Sequence, residues 1–199
     1  MSEILVVGSL AYDSISTPAG KSERTLGGSA NYFSLAASLF APVRVVGVVG
    51  EDYADSDLKL LTDRKVDVTG LQKKAGKTFH WAGAYDGNMN EAKTLQTDLN
   101  VFGDFNPELP ESYRDSKYVF LANIDPTLQL RVLEQVSKPK LVGADTMNFW
   151  ISSKRDELMK VLAKIDALLI NEGEAEMLTG KTNAIAASDE LIKMGPKAV

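Results

Sequence analysis

Cysteine is absent from this 199-residue chain, and His80 is its single histidine. The lack of cysteine excludes disulfides, thiolate metal sites and a cysteine nucleophile, and it fits a reducing compartment. One histidine cannot form a metal site that needs several, and it leaves little room for Ser-His-Asp catalysis. We therefore expect His80, next to Trp81, to pack or lie at the surface rather than to act in catalysis.

Long apolar runs and an excess of positive charge are also missing. No segment approaches the roughly 20 apolar residues that a membrane helix needs, and residues 1–3 contain no basic leader. The formal net charge of −5 and the pI near 5.0 argue against a nucleic-acid partner. With 44% hydrophobic residues the chain can bury a core, so we expect a globular, cytoplasmic protein.

Two common nucleotide-binding signatures are absent as well. No glycine-rich segment ends in the Gly-Lys-Ser/Thr of a P-loop, and no G-x-G-x-x-G follows the first apolar run, where Gly8 stands alone. A nucleotide-dependent oxidoreductase is therefore disfavoured.

Short apolar runs alternate with segments of helical periodicity along most of the chain. The runs are rich in β-branched residues, which is typical of parallel strands covered on both faces. Strands are predicted at residues 4–8, 43–49, 66–71, 118–121, 141–145 and 167–171, and helices at 31–41, 56–65, 126–136 and 153–164. Pro42 ends the first helix, and Ser56 is expected to cap the second. This order predicts an α/β fold.

Residues 78–85 and 93–101 instead alternate polar and apolar side chains, with the turn-rich segment 86–90 between them. They predict an antiparallel hairpin that covers a ligand as a lid. Within it, Phe79 and Trp81 are assigned to lid packing, with stacking on a base or sugar as the alternative. Phe149 and Trp150 are expected in the core.

A glycine pair, Gly27-Gly28, precedes Ser29-Ala30-Asn31 at the predicted start of the first helix. Glycines at a helix N-terminus let backbone N–H groups approach a polar ligand, and Asn31 can add an amide. A small, hydroxyl-rich ligand is expected there.

Polar side chains follow four apolar runs, where ligands of open α/β sheets bind. They are Asp13, Asn123, Asp145, and Asn171 with Glu174. Each alone could be a helix cap or turn residue, but together with the glycine pair they favour a site. For Asn171 and Glu174 the spacing fits equally a magnesium site with water ligands and a capping box.

Together these residues resemble the ribokinase-like (phosphofructokinase-B-type) family of carbohydrate and nucleoside kinases. The resemblance spans residues 4–199 and includes Asp13, the glycine pair, the segment 45–52 and the segment 171–180. It implies a three-layer α/β/α fold with a mostly parallel sheet and a small β lid. Residues 1–199 would form one incomplete kinase domain, into which lid elements at about 14–25 and 77–102 are inserted.

The resemblance also implies roles for single residues, with ATP and Mg²⁺ as co-substrate and cofactor. Substrate contacts are expected from Asp13, Gly27, Gly28, Asn31 and Asn123. The phosphate side is expected to use Asp145, Asn148, Asn171 and Glu174, with Glu174 holding Mg²⁺ through water. The activity implied is ATP-dependent phosphorylation of a sugar or sugar-like hydroxyl. The strand edges of the lid could pair between subunits, so a homodimer through the lid is expected.

Two departures from the family pattern limit these expectations. Only Ser29 and Ala30 separate the glycine pair from Asn31, one residue fewer than is common. The catalytic base of the family, an aspartate in a Gly-Ala-Gly-Asp motif, does not occur here and is expected beyond Val199. A protein of these residues alone is therefore expected to be inactive. The alternatives are a non-catalytic sugar- or nucleoside-binding module and an adenosine or nucleoside kinase of the same fold.

Overall fold

The computed structural model describes residues 3–87, 89 and 92–199. Its strands in chain order are β1 (Ile4–Val7), β2 (Ala11–Thr17), β3 (Gly20–Gly27), β4 (Val43–Gly50), β5 (Asp67–Lys74), β6 (Phe79–Tyr85), β7 (Ala92–Asp98), β8 (Tyr118–Leu121), β9 (Leu141–Asp145) and β10 (Ala167–Leu169). Its helices are α1 (Ser29–Ala37), α2 (Asp55–Asp63), α3 (Pro126–Gln135), α4 (Asn148–Ser153), α5 (Arg155–Leu162), α6 (Glu172–Thr179) and α7 (Ala184–Lys193).

Six strands form a central sheet, the large sheet, in the order β10-β9-β8-β1-β4-β5. Every neighbouring pair is parallel. The predicted mostly parallel sheet is thus confirmed. Its strands end at one common edge, which places Asp145 and the segments after β1 and β8 on the same side of the molecule.

Helices cover both faces of the large sheet, which gives three layers. Alternate residues of β1 point to opposite faces, so Leu5 and Val7 join one core cluster while Val6 joins the other. The first cluster includes residues of α3, α5 and α7, and the second is packed against α1 and α2. Apolar strands with no polar face fold in this way because both of their surfaces are buried.

Four strands form a second sheet, the small sheet, in the order β3-β2-β6-β7. The pairs β2–β3 and β6–β7 are antiparallel, whereas β2 and β6 run parallel. The predicted hairpin is therefore present as β6 and β7, and its turn lies partly outside the described residues. Chain segments from two distant places, residues 11–27 and 79–98, meet in this sheet.

Several local predictions need correction. Asp13 follows the first strand, as expected, and it lies within β2, a strand that was not predicted. Helix α2 begins at Asp55 after Ala54, and no side chain caps it, so Ser56 is not its cap. The helix expected at 153–164 is present as α5, whereas α4, which precedes it, was not predicted; the two are separated at Lys154 (φ −135°, ψ 35°). Within the described part of the chain, no helix is long and apolar enough to cross a bilayer.

Candidate functional site

A pocket of about 840 Å³, the central pocket, lies between the small sheet and the common edge of the large sheet. Strands β2, β6 and β7 contribute one part of its wall, and α1, α4 and the segment after β8 contribute another. The lining residues are Ser9, Ala11, Asp13, Gly28, Ser29, Tyr32, Phe79, Trp81, Thr94, Thr97, Leu99, Phe102, Asn123, Ile124, Met147, Asn148, Phe149, Trp150, Ser152 and Met177.

Asp13 reaches this pocket from β2, where it pairs with Thr25 on one side and Trp81 on the other. A Cβ built on Gly27 would stand 2.3 Å from Asp13 Cγ, so the carboxylate lies directly over the backbone of the glycine pair. Burial raises the pKa of Asp13 to about 6, against the opposing effect of the nearby His80. At neutral pH the pocket therefore presents one partly buried carboxylate.

Gly28 begins α1 from the left-handed region of backbone space, with φ 91°. A Cβ at Gly28 would lie 2.4 Å from the carbonyl oxygen of Ser9, which excludes other residues by close approach as well as by backbone strain. The glycine pair thus lets the first turn of α1 pack against the segment after β1. The backbone at this N-terminus faces the pocket beside Asp13.

Asn31 does not lie on the pocket wall. Its side chain is fully buried, its Nδ2 donates to the Gly27 carbonyl, and its Oδ1 accepts from Tyr53 Oη at 3.1 Å. Both ends of the amide are therefore occupied within the protein. This placement does not match the expected direct contact between Asn31 and a substrate. Asn31 instead holds the backbone of Gly27 through its hydrogen bond to the Gly27 carbonyl.

Asn123 and Asn148 do line the central pocket. Asn123 Oδ1 accepts a hydrogen bond from Trp150 Nε1 at 3.0 Å, and its carbonyl oxygen accepts from Ser29 Oγ at 3.3 Å. Asn148 is exposed at the start of α4. These contacts join the end of β8 to α4 and to the N-terminus of α1.

Asp145, Asn171 and Glu174 lie outside the lining of the pocket, at the ends of β9 and at the start of α6. Asn171 and Glu174 form a complete capping box: Asn171 Oδ1 accepts from Glu174 N at 2.9 Å, and Glu174 Oε2 accepts from Asn171 N at 3.1 Å. Burial and the neighbouring Glu174 raise the pKa of Asp145 to about 7. Burial also raises the pKa of Glu174, although its bonds with Asn171 oppose this. Asp145 Oδ1 is buried and has no hydrogen-bond partner among the described residues.

The assignment of Phe149 and Trp150 to the core is wrong. Both residues line the pocket, and Phe149 is 57% exposed. Phe79 and Trp81 also line it, with Phe79 stacked on Phe102 at 5.4 Å between ring centroids and Trp81 Nε1 bonded to Thr94 Oγ1. Aromatic rings thus face the pocket from both sides.

A polar junction that the sequence did not suggest attaches the small sheet to the large one. Asp52, just after β4, accepts through Oδ1 from both the backbone N and the Oγ1 of Thr78 at 2.7 Å. Arg24 of β3 donates to the Asp52 carbonyl at 2.6 Å and lies 3.4 Å from its carboxylate. Partial burial alone would raise the pKa of Asp52, but these bonds and Arg24 lower it. The sequence does contain the polar segment Gly50-Glu51-Asp52 after an apolar strand. Its spacing gives no indication that Asp52 binds Thr78, which is 26 residues away.

His80 lies on β6 but is not among the lining residues. Its Nε2 is 2.9 Å from Ser14 Oγ, and its Nδ1 is 3.6 Å from Asp98 Oδ2. Its role in the structure is a contact across three strands of the small sheet. The described hydrogen bonds of His80 do not include Asp13.

The three-layer α/β/α fold with a small second sheet is the one that the resemblance to ribokinase-type kinases implied. The chain belongs to the pfkB family of carbohydrate kinases, whose family model matches residues 1–199.

Individual relatives agree with this assignment. The chain is 29% identical over 205 residues to a cytidine kinase of Thermococcus kodakarensis, covering 100% of this chain and 72% of that protein. Among solved structures, it is similar to a nucleoside kinase of Methanocaldococcus jannaschii, with a TM-score of 0.70, 17% identity, and coverage of 95% of this chain and 68% of that one. It is also similar to a candidate ribokinase II from E.coli in complex with ATP and Mg²⁺, with a TM-score of 0.76, 14% identity, and coverage of 100% and 73%.

Proposed function

We propose that this kinase domain serves the transfer of the γ-phosphoryl group of ATP to a hydroxyl of an uncharged nucleoside or sugar. The observation that carries the proposal is the Asp13 carboxylate placed over Gly27, beside the Gly28 start of α1, on the wall of the central pocket. A carboxylate accepts hydrogen bonds from vicinal hydroxyls. The first N–H groups of α1 are used within the protein, since Ser29 N donates to Ser9 Oγ at 3.1 Å and Ala30 N donates to the Ser9 carbonyl at 3.0 Å. The Asp13 carboxylate is therefore the group that suits a polyol.

The charge of the pocket supports a neutral substrate. Asp13 is the one lining residue with an acidic or basic side chain among those the structure describes, the phenol of Tyr32 aside, and no Lys or Arg faces the space. A sugar acid or sugar phosphate would place its own negative charge near Asp13 without a cation to pair it. These two substrate classes are therefore disfavoured.

The aromatic rings of the pocket favour a nucleoside over a simple sugar. Phe79, Trp81, Phe149 and Trp150 offer flat apolar surface from both sides, and bases stack well on such rings. A relative at 29% identity is a cytidine kinase, and one similar fold is a nucleoside kinase. In this proposal the small sheet closes as a lid over the base, through β6 and β7.

The phosphate side is proposed at Asp145 and Glu174. Two carboxylates with raised pKa values, one holding a buried oxygen without a partner, fit a nearby cation that would compensate their charge. Mg²⁺ bound there through water would neutralise phosphate charge. Within this chain, Asn171 fixes Glu174 through the capping box, and Asn148 lines the central pocket.

Equilibrium binding tests the proposal directly. Isothermal titration with cytidine, adenosine and ribose is expected to give binding to at least one of them, and cytidine 5′-monophosphate and gluconate are expected to bind at least about tenfold more weakly, since their charge opposes Asp13. Asp13→Asn, which keeps the side-chain shape, should weaken binding of the neutral ligand. Tighter binding of the charged compounds would contradict the proposal.

Turnover is a separate measurement. Because no Gly-Ala-Gly-Asp motif occurs in the sequence, a protein of only these 199 residues should bind without consuming ATP. Mg²⁺-dependent ADP release by that protein would overturn this expectation. Binding without turnover is also what a non-catalytic nucleoside-binding module would show.

The proposal also includes a cellular location and an oligomeric state. The cysteine-free composition supports a cytoplasmic location. The outer strands of the small sheet, β3 and β7, carry unpaired edges that support a homodimer through this sheet, which sedimentation equilibrium would test.

A further inference from the structure

Trp150 and Asn123 form a hydrogen bond on the wall of the central pocket. Trp150 lies in α4 and Asn123 follows β8, and Trp150 Nε1 donates to Asn123 Oδ1 at 3.0 Å. An indole N–H can only donate a hydrogen bond. The amide atom that faces Trp150 must therefore be the oxygen, which fixes the rotation of the Asn123 side chain.

This contact determines what Asn123 offers to a ligand. With its oxygen turned toward Trp150, the amide nitrogen faces away from the indole, and no described residue accepts a hydrogen bond from it. The backbone at Asn123 is held as well, because its carbonyl oxygen accepts from Ser29 Oγ. Asn123 thus has two N–H donors that no described residue uses, in an orientation set by its neighbours, while its Oδ1 already accepts one hydrogen bond.

Asp13 has the opposite character, because an ionised carboxylate only accepts hydrogen bonds. The pocket therefore carries an acceptor group on the β2 side and a donor group at the end of β8. A ligand that satisfies both must bring hydroxyls to Asp13 and an oxygen or nitrogen lone pair to Asn123.

We propose that Trp150 is a positioning residue that holds the Asn123 amide as a hydrogen-bond donor, so that the central pocket selects ligands with a lone pair opposite Asn123. The inference rests on the proposed function, since it concerns the acceptor substrate of the same pocket. It assigns a specificity role to an aromatic residue whose ring alone suggests packing.

The ligand-free protein gives the first test. In ¹⁵N-labelled protein, the Trp150 indole proton should exchange with solvent several-fold more slowly than in the Asn123→Ala variant, because its acceptor is then removed. Equal exchange rates in the two proteins would show that the indole is not bonded to Asn123 and would overturn the proposal.

Ligand binding gives the second test. Cytidine is compared with 3-deazacytidine, 2′-deoxycytidine and 3′-deoxycytidine, each of which lacks one candidate acceptor. In the wild-type protein one analogue should bind about 5- to 10-fold more weakly than cytidine, as expected for one hydrogen bond. That difference should vanish in Asn123→Ala. If every difference persists in the variant, Asn123 is not the donor.

A double-mutant cycle separates positioning from packing. Trp150→Phe keeps an aromatic ring and removes the N–H, so the Asn123 amide can rotate and the discrimination between cytidine and the sensitive analogue should fall about threefold. In an Asn123→Asp background the same substitution should change that ratio little, because the two oxygens of a carboxylate are equivalent. An equal effect in both backgrounds would show that Trp150 only packs.

Failure of the proposed function has its own signature. A wild-type protein that binds none of cytidine, adenosine and ribose contradicts the proposed substrate class. The indole exchange then still decides whether Trp150 fixes the Asn123 amide.

Discussion

The carboxylate of Asp13 lies so close over Gly27 that a Cβ at residue 27 would stand 2.3 to 2.5 Å from its three carboxyl atoms. The glycine is therefore required by a side chain from the neighbouring strand, since β2 and β3 pair at Asp13 and Thr25. Gly28 is required for a different reason, namely its φ of 91° and the carbonyl of Ser9. The two glycines should thus respond differently to substitution.

Gly27→Ala is expected to displace the Asp13 carboxylate and to weaken cytidine binding more than it weakens the fold. Gly28→Ala is the matched control, because its Cβ meets backbone atoms that cannot move aside, and it should lower stability by at least about 2 kcal/mol. Urea denaturation and titration calorimetry measure the two effects. Equal losses of stability in both variants would contradict the distinction.

Asp13→Asn should make the protein more stable at neutral pH. Burial raises the pKa of Asp13 from its ordinary value of 3.8 to about 6, so between these two pH values the folded state binds more protons than the unfolded state. Stability carried by this group is therefore present at low pH and lost as the pH rises through about 6. Because the side chain is partly exposed, solvent reduces the effect to on the order of 1 kcal/mol.

The check is the difference in unfolding free energy between Asp13→Asn and wild type as a function of pH. This difference should be largest at pH 7 and above, and it should fall to nearly zero as the pH approaches 4, because an asparagine resembles the protonated acid. A difference that does not vary with pH would mean that the Asp13 pKa is not raised in the folded protein.

Asn31→Ala should destabilise the fold by about 2–4 kcal/mol, because it leaves the Gly27 carbonyl and the Tyr53 hydroxyl without their partner in a fully buried place. Tyr53→Phe removes only one of the two bonds and should cost about 1 kcal/mol. Chemical denaturation measures both. A near-neutral Asn31→Ala would indicate that the residue is free to face the pocket.

The capping box at α6 separates a structural role from an electrostatic one. Asn171→Ala should cost about 1 kcal/mol, as loss of an N-cap does. Glu174→Gln can keep the box, because glutamine also reaches back to the N-cap, and it removes repulsion with Asp145, so its melting temperature should equal or exceed that of wild type. Thermal melts decide this, and a Glu174→Gln protein that melts below wild type would refute it.

The large sheet was predictable because its strands are continuous apolar runs, a pattern that parallel strands require. The placement of Asp13 was not, since residues 11–17 mix polar and small side chains and gain strand geometry only by pairing with β3 and β6. In the same way, nothing near Asn31 in the sequence announces its bond to Tyr53, which is 22 residues away. The direction in which Phe149 and Trp150 face depends on a short helix whose end at Lys154 had no local signal.

The capping alternative for Asn171 and Glu174 shows a limit of a different kind. The spacing of the two residues fitted both a helix cap and a cation site. The structure has the complete cap. It also places Asp145 near Glu174, and the charge of Glu174 helps to raise the pKa of Asp145. Which side chain approaches from another strand is a tertiary property. The spacing along the sequence identified Asn171 and Glu174, but it could not show that Asp145 lies near Glu174.

The junction at Asp52 has a mechanical consequence. It holds the small sheet through Arg24 of β3 and through Thr78, which directly precedes β6, whereas β7 is the outer strand on the other side of the sheet. The hydrogen bonds of this junction involve β3 and the residue before β6, and none of them involves β7. Adjustment of the pocket to ligands of different size should therefore fall on β7, where Thr94 and Thr97 face the cavity, while Asp13 on β2 keeps its place over the glycine pair.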